Sequence, residues 1–440
     1  MIVIENARVL NLSPSSLSGP VDIAVDGSTI AAVGQGLAAK YPEAERHRAD
    51  GIVSPGLVCS HNHFYSALAR GLMVAVQPSK DFAQQLKHLW WRLDRALDPD
   101  IVRASGLVGA AEAARWGVTS VVDHHASPEF IDGSLDVLAE GFKTVGLRGV
   151  LCYETTDRNG MDGARAGVRE NLRWAKAVDD ARAAGQEPLL EAMIGAHAPF
   201  TVGDDTLSSL SDAVRASGRG IHIHVAEDKY DAVHSRHEHG LDIAVRLDRA
   251  GVLGPASLLV HGLYLTDSEV DLINERDAFL AHNAQSNMNN AVGYNALLPK
   301  YRNAVLGTDG IGSDMLAAAN WAYFKHRDSG GQLWMDALLG MLQNGNRLLE
   351  RCFPGKRFGR VEPGYQADLA FWDYDPPTPL VDGNVAGHAA FGLSSGFVSG
   401  TMVGGKFVFK NRHATFDYAA AMAAGREQTV RLWKRMEERV

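Results

Sequence analysis

The sequence predicts an α/β protein: a (β/α)8 barrel of the TIM type carrying a small β-sandwich domain built from both termini. Three observations predict it. Between about Pro55 and Phe353, eight short apolar runs alternate with helical stretches. Both ends of the chain read instead as strands and tight turns. The chemically distinctive residues of the middle fall at the C-terminal ends of the apolar runs, where such a barrel places its chemistry.

Taken in order, Val21, Ile23 and Val25 alternate up to an Asp26-Gly27 turn, and a second run, Ile30 to Val33, follows as the return strand of a hairpin. The first barrel strand ends in Leu57-Val58-Cys59-Ser60-His61-Asn62-His63. Further strands are predicted at 118–124, 147–153, 190–197, 221–225, 258–261, 278–282 and 303–308, separated by helical stretches such as Ile101 to Trp116 and Leu241 to Gly251. After the barrel, Asp368 to Trp372 reads as a strand, and Thr401-Met402-Val403 and Lys406 to Phe409 flank a Gly404-Gly405 turn. The expected division is residues 55–359 as the barrel, with 1–54 and 360–440 forming the composite β domain and a C-terminal helix. A chain of 440 residues has room for this, since such a barrel takes about 250 residues.

Composition narrows the function. Hydrophobic content of 46% and charged content of 22% suit a globular enzyme, not a disordered chain. A net charge of −9 with scattered Lys and Arg argues against nucleic acid as a partner. The one basic stretch, Arg431 to Arg435, reads as the solvated face of a helix that packs through Val430, Leu432, Trp433 and Met436. Cys59, Cys152 and Cys352 are too far apart for a thiolate metal motif and read as buried small hydrophobes. No apolar run approaches the ~20 residues of a membrane span. The start Met1-Ile2-Val3-Ile4-Glu5-Asn6-Ala7 lacks a basic leader, so a reducing cytoplasm is the expected compartment.

Five residues at strand ends carry the chemistry: His61 and His63, His224 in Ile221-His222-Ile223-His224-Val225, His261 after Leu258-Leu259-Val260, and Asp309 after Val305-Leu306-Gly307-Thr308. Alternate strand residues share a face, so His61 and His63 can meet one ion while Asn62 faces away. A lone His is usually a surface or core residue, and His-x-His alone is a weak motif. Four sites in one ordered series of strand ends point instead to a mononuclear hydrolytic metal centre. Imidazole and carboxylate suit zinc first, then ferrous iron. Glu227, three residues after His224, is placed to shuttle a proton between water and leaving group. His222 lies one pair deeper and reads as structural.

These residues and their surroundings resemble the amidohydrolase superfamily, in its cytosine- and guanine-deaminase-like branch. The similarity extends to Pro55-Gly56-Leu57, His197-Ala198-Pro199-Phe200-Thr201-Val202 and Ser286-Asn287-Met288. Ser60 to Ser66, Leu89 to Arg95, Asp123 to Pro128 and Gly307 to Met315 are similar to SsnA-type aminohydrolases. The resemblance implies one divalent metal held by His61, His63, His224 and Asp309. It makes Glu227 the proton shuttle, His261 the residue that orients the attacking water, and Asp309 both ligand and proton acceptor. Binuclear relatives carry a carboxylated lysine at the end of strand four. Here that strand, Leu189 to His197, has no Lys.

The implied reaction is hydrolysis of a C–N bond in a small nitrogen heterocycle, with deamination of a purine, pterin or pyrimidine-like ring as first choice. Hydrolytic ring opening of a cyclic amide uses the same parts. Dechlorination at a ring carbon and a non-catalytic scaffold on the same barrel are the remaining readings. Candidate substrate residues are His197, one of His124 and His125, Glu154 and Arg158 in the polar stretch after strand three, Trp90, and Asn287. Glu154 and Arg158 read equally as a local salt-linked loop. Trp90 and Trp91 form either an aromatic lid or core. Asn287 and Asp314 also fit as groups that fix the last two barrel loops. A homo-oligomer, a dimer or larger, is expected from the resemblance.

Overall fold

The computed structural model describes residues 1–186 and 189–439. Strands β1 (Ile2–Leu12), β2 (Ser15–Asp26) and β3 (Thr29–Gly34) form an antiparallel meander. The two-residue turn between β2 and β3 is Gly27-Ser28, one residue later than the expected Asp26-Gly27: Asp26 closes β2 opposite Thr29, and Gly27 takes φ 54°. Strands β4 (Glu45–Arg48) and β5 (Ile52–Pro55) pair parallel with β1.

The chain then enters the α/β region with β6 (Leu57–Asn62), β7 (Val118–His125), β8 (Arg148–Tyr153), β9 (Leu190–Ala192), β10 (Ile194–Ala196), β11 (Ile221–Val225), β12 (Leu258–His261), β13 (Phe279–His282) and β14 (Ala304–Leu306). Every residue of these strands is buried, because parallel strands are covered by helices on one face and fill the interior with the other. All the expected runs form. They do so as two arcs, β6-β7-β8-β9 and β10-β11-β12-β13-β14, and not as one unbroken ring.

The break lies in the fourth run, at Met193. There the buried Asn171 side chain is spliced between strands three and four: its Oδ1 accepts from Tyr153 and Gly195 N–H, and its Nδ2 donates to Tyr153 O. A side chain at Gly195 would collide with Tyr153 O at 2.3 Å. Isolated parallel bridges link the arcs at Thr155 with Ala196 and at Asn62 with Asp309.

The last strands are β15 (Leu369–Trp372), β16 (Val398–Val403), β17 (Lys406–Lys410) and β18 (His413–Ala414). With β1 to β5 they form one nine-stranded sheet, in the order β18-β17-β16-β15-β5-β1-β2-β3 with β4 on β1. The expected sandwich of two sheets is therefore a single sheet that curls. Ala367 N–H bonds Ser28 O, and Gly405 N–H bonds Ala367 O. These bonds draw the two hairpin turns together around Ile4, Ile23, Val25, Val53, Leu369 and Met402.

The C-terminal helix, Tyr418–Glu437, departs from its expected place in the β domain and packs on the barrel helix Pro99–Arg115. Leu432 and Met436 are fully buried, and Trp433 donates through Nε1 to Leu68 O. Val430, expected in the packing, is 70% exposed. The basic face is not simply solvated: Arg431 pairs with Asp98, and Arg435 Nε donates to Ala96 O. Cys59, Cys152 and Cys352 are buried free thiols.

Barrel and β domain are joined by a buried ion pair. Arg148, fully buried at the start of β8, donates from Nε (2.8 Å) and Nη2 (3.1 Å) to the Asp368 carboxylate, and its guanidinium lies over Phe353 and Phe358. Arg148→Met is expected to cost about 3–5 kcal/mol of stability, because it strands a buried carboxylate. The double variant Arg148→Met with Asp368→Leu should recover most of the loss. Urea unfolding of the three proteins checks this.

Candidate metal centre

β6 carries His61 and delivers His63 one residue past its end, β11 carries His224, β12 ends on His261, and Asp309 follows β14. Asn62 faces the other way and donates to Thr308 Oγ1 at 2.8 Å, as strand alternation requires. One ligand atom from each of His61, His63, His224 and Asp309 can be chosen so that all lie within 4.8 Å of one another. Ala226, His261 and Asp309 are non-glycine residues at φ 46°, 74° and 55°. Three such conformations at one barrel mouth mark backbone strain held in place by its surroundings, a common property of functional sites.

Hydrogen bonds orient the imidazoles. His63 Nδ1 lies 2.6 Å from His124 O, and His224 Nδ1 lies 2.9 Å from His197 O, so both Nδ1 atoms must carry the proton. Their neutral forms would then aim two Nε2 lone pairs at each other across 3.2 Å. Asp309 Oδ1 adds negative charge 3.0 Å from His63 Nε2 and 3.3 Å from His61 Nε2. His61 Nε2 is fully buried and has only the Asp309 carboxylate for company. Such a cluster requires a cation at its centre. In the protein alone a proton serves: burial opposes it, but the Asp309 carboxylate raises His63 to about 9. Burial lowers His61 to about 3 and His224 well below the usual range, which keeps them as lone-pair donors. Burial would push the Asp309 carboxyl up, yet hydrogen bonds from His61 and His63 hold it well below the carboxylate range. The donor set fits a divalent metal ion. His222, read as structural, stands directly behind, with Nε2 2.8 Å from His61 Nδ1.

Glu227 sits beside the cluster. Its Oε2 is 3.5 Å from His261 Nε2, and Asn290 Nδ2 donates to its Oε1 at 3.4 Å. Burial first, and the Asp309 charge second, push its carboxyl well above the usual range, so it can hold a proton. His261 Nε2 is 3.8 Å from Asp309 Oδ2, and its Nδ1 is 2.8 Å from Asn287 Oδ1.

A cavity open at its mouth rises from this cluster. Its walls include the expected His197, Glu154 and Trp90, together with Trp91, Phe82 and Leu86. His197 Nδ1 lies 2.6 Å from Thr201 Oγ1, leaving Nε2 3.9 Å from Glu154 Oε1. Three expected substrate residues are elsewhere. Asn287 is buried behind His261 and holds its ring. His125 lies beneath the wall, with Nε2 2.9 Å from Ser127 Oγ. Arg158 is neutralised by Glu154 (2.9 Å) and Asp94 (3.4 Å) and stacks on Trp91, so it supports the wall and does not line it. His124 also lies outside the wall, its Nδ1 3.3 Å from Glu154 Oε2. Asp314 caps the helix Met315–Asp328 and accepts from Ser395 Oγ, fixing the strand-eight loop as expected.

Sequence reasoning missed Asp94, Ser286 and Asn290, all in the cavity wall. Ser286 Oγ donates to Asp309 Oδ2 at 2.6 Å. Asp94 stood in the quoted stretch Leu89 to Arg95, but with nothing to mark it. Ser286 and Asn290 belong to a polar run in which spacing does not rank one amide above another.

The model of the amidohydrolase family matches residues 52–408. A 5'-deoxyadenosine deaminase of Methanopyrus kandleri is 27% identical over 367 residues, covering 82% of this chain and 81% of that protein. A 5-methylthioadenosine/S-adenosylhomocysteine deaminase of Pelotomaculum thermopropionicum is 27% identical over 451 residues, 99% of each chain. Among solved structures, a zinc-bound adenosine deaminase from Xanthomonas campestris superposes with a TM-score of 0.83 at 24% identity over 98% of both chains. The zinc complex of an atrazine chlorohydrolase from Arthrobacter aurescens gives 0.82 at 22%, over 98% of this chain and 100% of that one. At these identities the two structures establish the fold, that of a TIM barrel. Among the described residues, no helix is long and apolar enough to cross a membrane.

Proposed function

Because this chain belongs to the amidohydrolase family and is similar to deaminases over most of its length, we propose that it deaminates an amino-substituted nitrogen heterocycle with release of ammonia. Purine nucleosides modified at the 5' position are the first substrates to test, from the names of the relatives. The observation that carries the reading is the convergence of two imidazole lone pairs and the Asp309 carboxylate beside Glu227, whose carboxyl burial raises above the usual range, at the floor of an aromatic-walled cavity.

In this reading His61, His63, His224 and Asp309 hold one zinc ion. Bound there, zinc supplies Lewis-acid activation of water. Glu227 takes a proton from the incoming water and delivers it to the departing nitrogen. His261, its ring fixed by Asn287, steadies the oxygen that adds to the ring carbon. Phe82, Trp90 and Trp91 cover the planar ring, and Glu154 with His197 accept or donate at its polar edge. The two arcs act as one (β/α)8 barrel over residues 55–359, and the protein works as a homo-oligomer.

Ammonia release tests the reading. The metal-loaded protein is offered 5'-deoxyadenosine, 5-methylthioadenosine, aminopurines, aminopyrimidines and pterins. Ammonia from one class identifies the ring. Silence across the panel with the metal in place would overturn deamination in favour of ring opening, which is read by loss of ring absorbance.

A further inference from the structure

A chain of hydrogen bonds runs one way from the segment over the cavity to both carboxylates of the site. Gln85, half-buried at the end of the short helix Phe82–Gln85, donates from Nε2 to Asn290 Oδ1 at 2.9 Å. Asn290 Nδ2 carries two hydrogens, and its two acceptors are Glu227 Oε1 and Ser286 Oγ, each at 3.4 Å. Ser286 spends its own proton on Asp309 Oδ2 at 2.6 Å, so its lone pair faces Asn290. Glu227 and Asp309 are thus both reached by donors that start at Gln85.

The direction depends on which way the Asn290 amide points. Reversed, it would set its carbonyl against the lone pair of Ser286, whose proton is committed to Asp309, and its NH2 against the Gln85 NH2. A donor at position 85 excludes that orientation. Asn289 Nδ2 also donates to Asn290 Oδ1, at 3.2 Å, but from an exposed side chain.

Gln85 does not share a fixed element with Asn290. It rides on Phe82–Trp90, whose second half is a π-helical turn, and Phe82 and Leu86 seat it against Leu263 and Val292. Beyond it, buried Arg92 ties the segment down, with Nε donating to Met436 O and Nη1 to Ala75 O.

We propose that Gln85 is a positioning residue for proton transfer: seating Phe82–Trp90 over a bound substrate orients the Asn290 amide, and with it Glu227. The inference rests on Glu227 being the proton shuttle of a hydrolytic deaminase. It assigns the covering segment a part in the chemical step as well as in enclosure.

The test uses full-length metal-loaded Gln85→Ala, Gln85→Glu, Asn290→Ala and the double variant Gln85→Ala with Asn290→Ala, at pH 8, alongside Glu227→Gln. Metal content and unfolding midpoint are measured first, and the near-isosteric Gln85→Glu keeps the test open if an alanine variant folds poorly. Gln85→Ala should lose about threefold to tenfold in kcat, the worth of one neutral hydrogen bond, with KM nearly unchanged. Gln85→Glu should be slower still, because an ionised carboxylate offers Asn290 Oδ1 no donor and turns the amide. The double variant should be no slower than Asn290→Ala alone. A packing role for Gln85 predicts the opposite: near wild-type kcat in Gln85→Glu, or losses that multiply in the double variant. Either result overturns the inference. Full activity in Glu227→Gln would instead overturn the proposed function itself.

Discussion

Glu227→Gln is expected to lower kcat by roughly 10²–10⁴-fold, the usual contribution of a positioned acid–base group, while metal content stays at wild-type level. The side chain is nearly isosteric, and a glutamine carbonyl can still accept from Asn290 Nδ2, so the geometry around His261 and Asp309 should persist. What disappears is the titratable carboxyl, whose affinity for a proton burial and the Asp309 charge raise above the usual range. Stability should move the other way. In the metal-free protein the folded carboxyl titrates above its unfolded value, so the fold binds more protons than the unfolded chain over that window, and stability falls as pH rises through it. Gln removes this loss. Metal-free Glu227→Gln should therefore melt at or above the wild-type temperature at pH 8. A variant that loses activity and also melts lower would indicate a structural role.

Removing the metal should abolish turnover, and zinc should restore it. His63 makes the pH dependence of rebinding specific. With its imidazole raised to about 9 by Asp309, metal must displace a proton from it at every pH below that value. Apparent affinity should rise about tenfold per pH unit between pH 6 and 8, since one proton is released per ion bound. Proton release measured by calorimetry in two buffers of different ionisation enthalpy checks the count. At free metal about 100 times Kd the fold should gain about 2.7 kcal/mol. His224→Ala should lose both the gain and the turnover. A pH-independent affinity would show that the cation is not bound at His63.

Much of this site was legible in the chain. His61, Asn62 and His63 alternate on one strand end, so their faces followed from the pleat alone. His224, His261 and Asp309 each close an apolar run, and that regularity located them at one end of the α/β region. Glu227 followed from its distance to His224, although Ala226 at φ 46° is what turns it into the cavity. The hairpins were readable too, at Gly404-Gly405 and, to within one residue, at Gly27-Ser28, because glycine at positive φ is a local requirement.

The substrate wall was not. Arg158 and Glu154 looked alike as polar loop residues. Only the approach of Asp94 and Trp91, from a segment some sixty residues earlier, decided that Arg158 is neutralised behind the wall while Glu154 lines it. His124 and His125 were indistinguishable until their neighbours were known. Ser286 and Asn290 gain meaning from Asp309 and Gln85, which lie on other segments of the chain. The break at Met193 depends on an asparagine from a helix, and the C-terminal helix found its partner on the barrel.

The sequence by itself determined the alternation of strand and helix in the α/β middle and the metal-site residues at its strand ends, because side-chain alternation and turn chemistry act over a few residues. Tertiary structure alone decided which polar groups meet. A hydrogen bond or ion pair depends on ångström-scale approach between distant segments, and no local pattern in the chain encodes that distance.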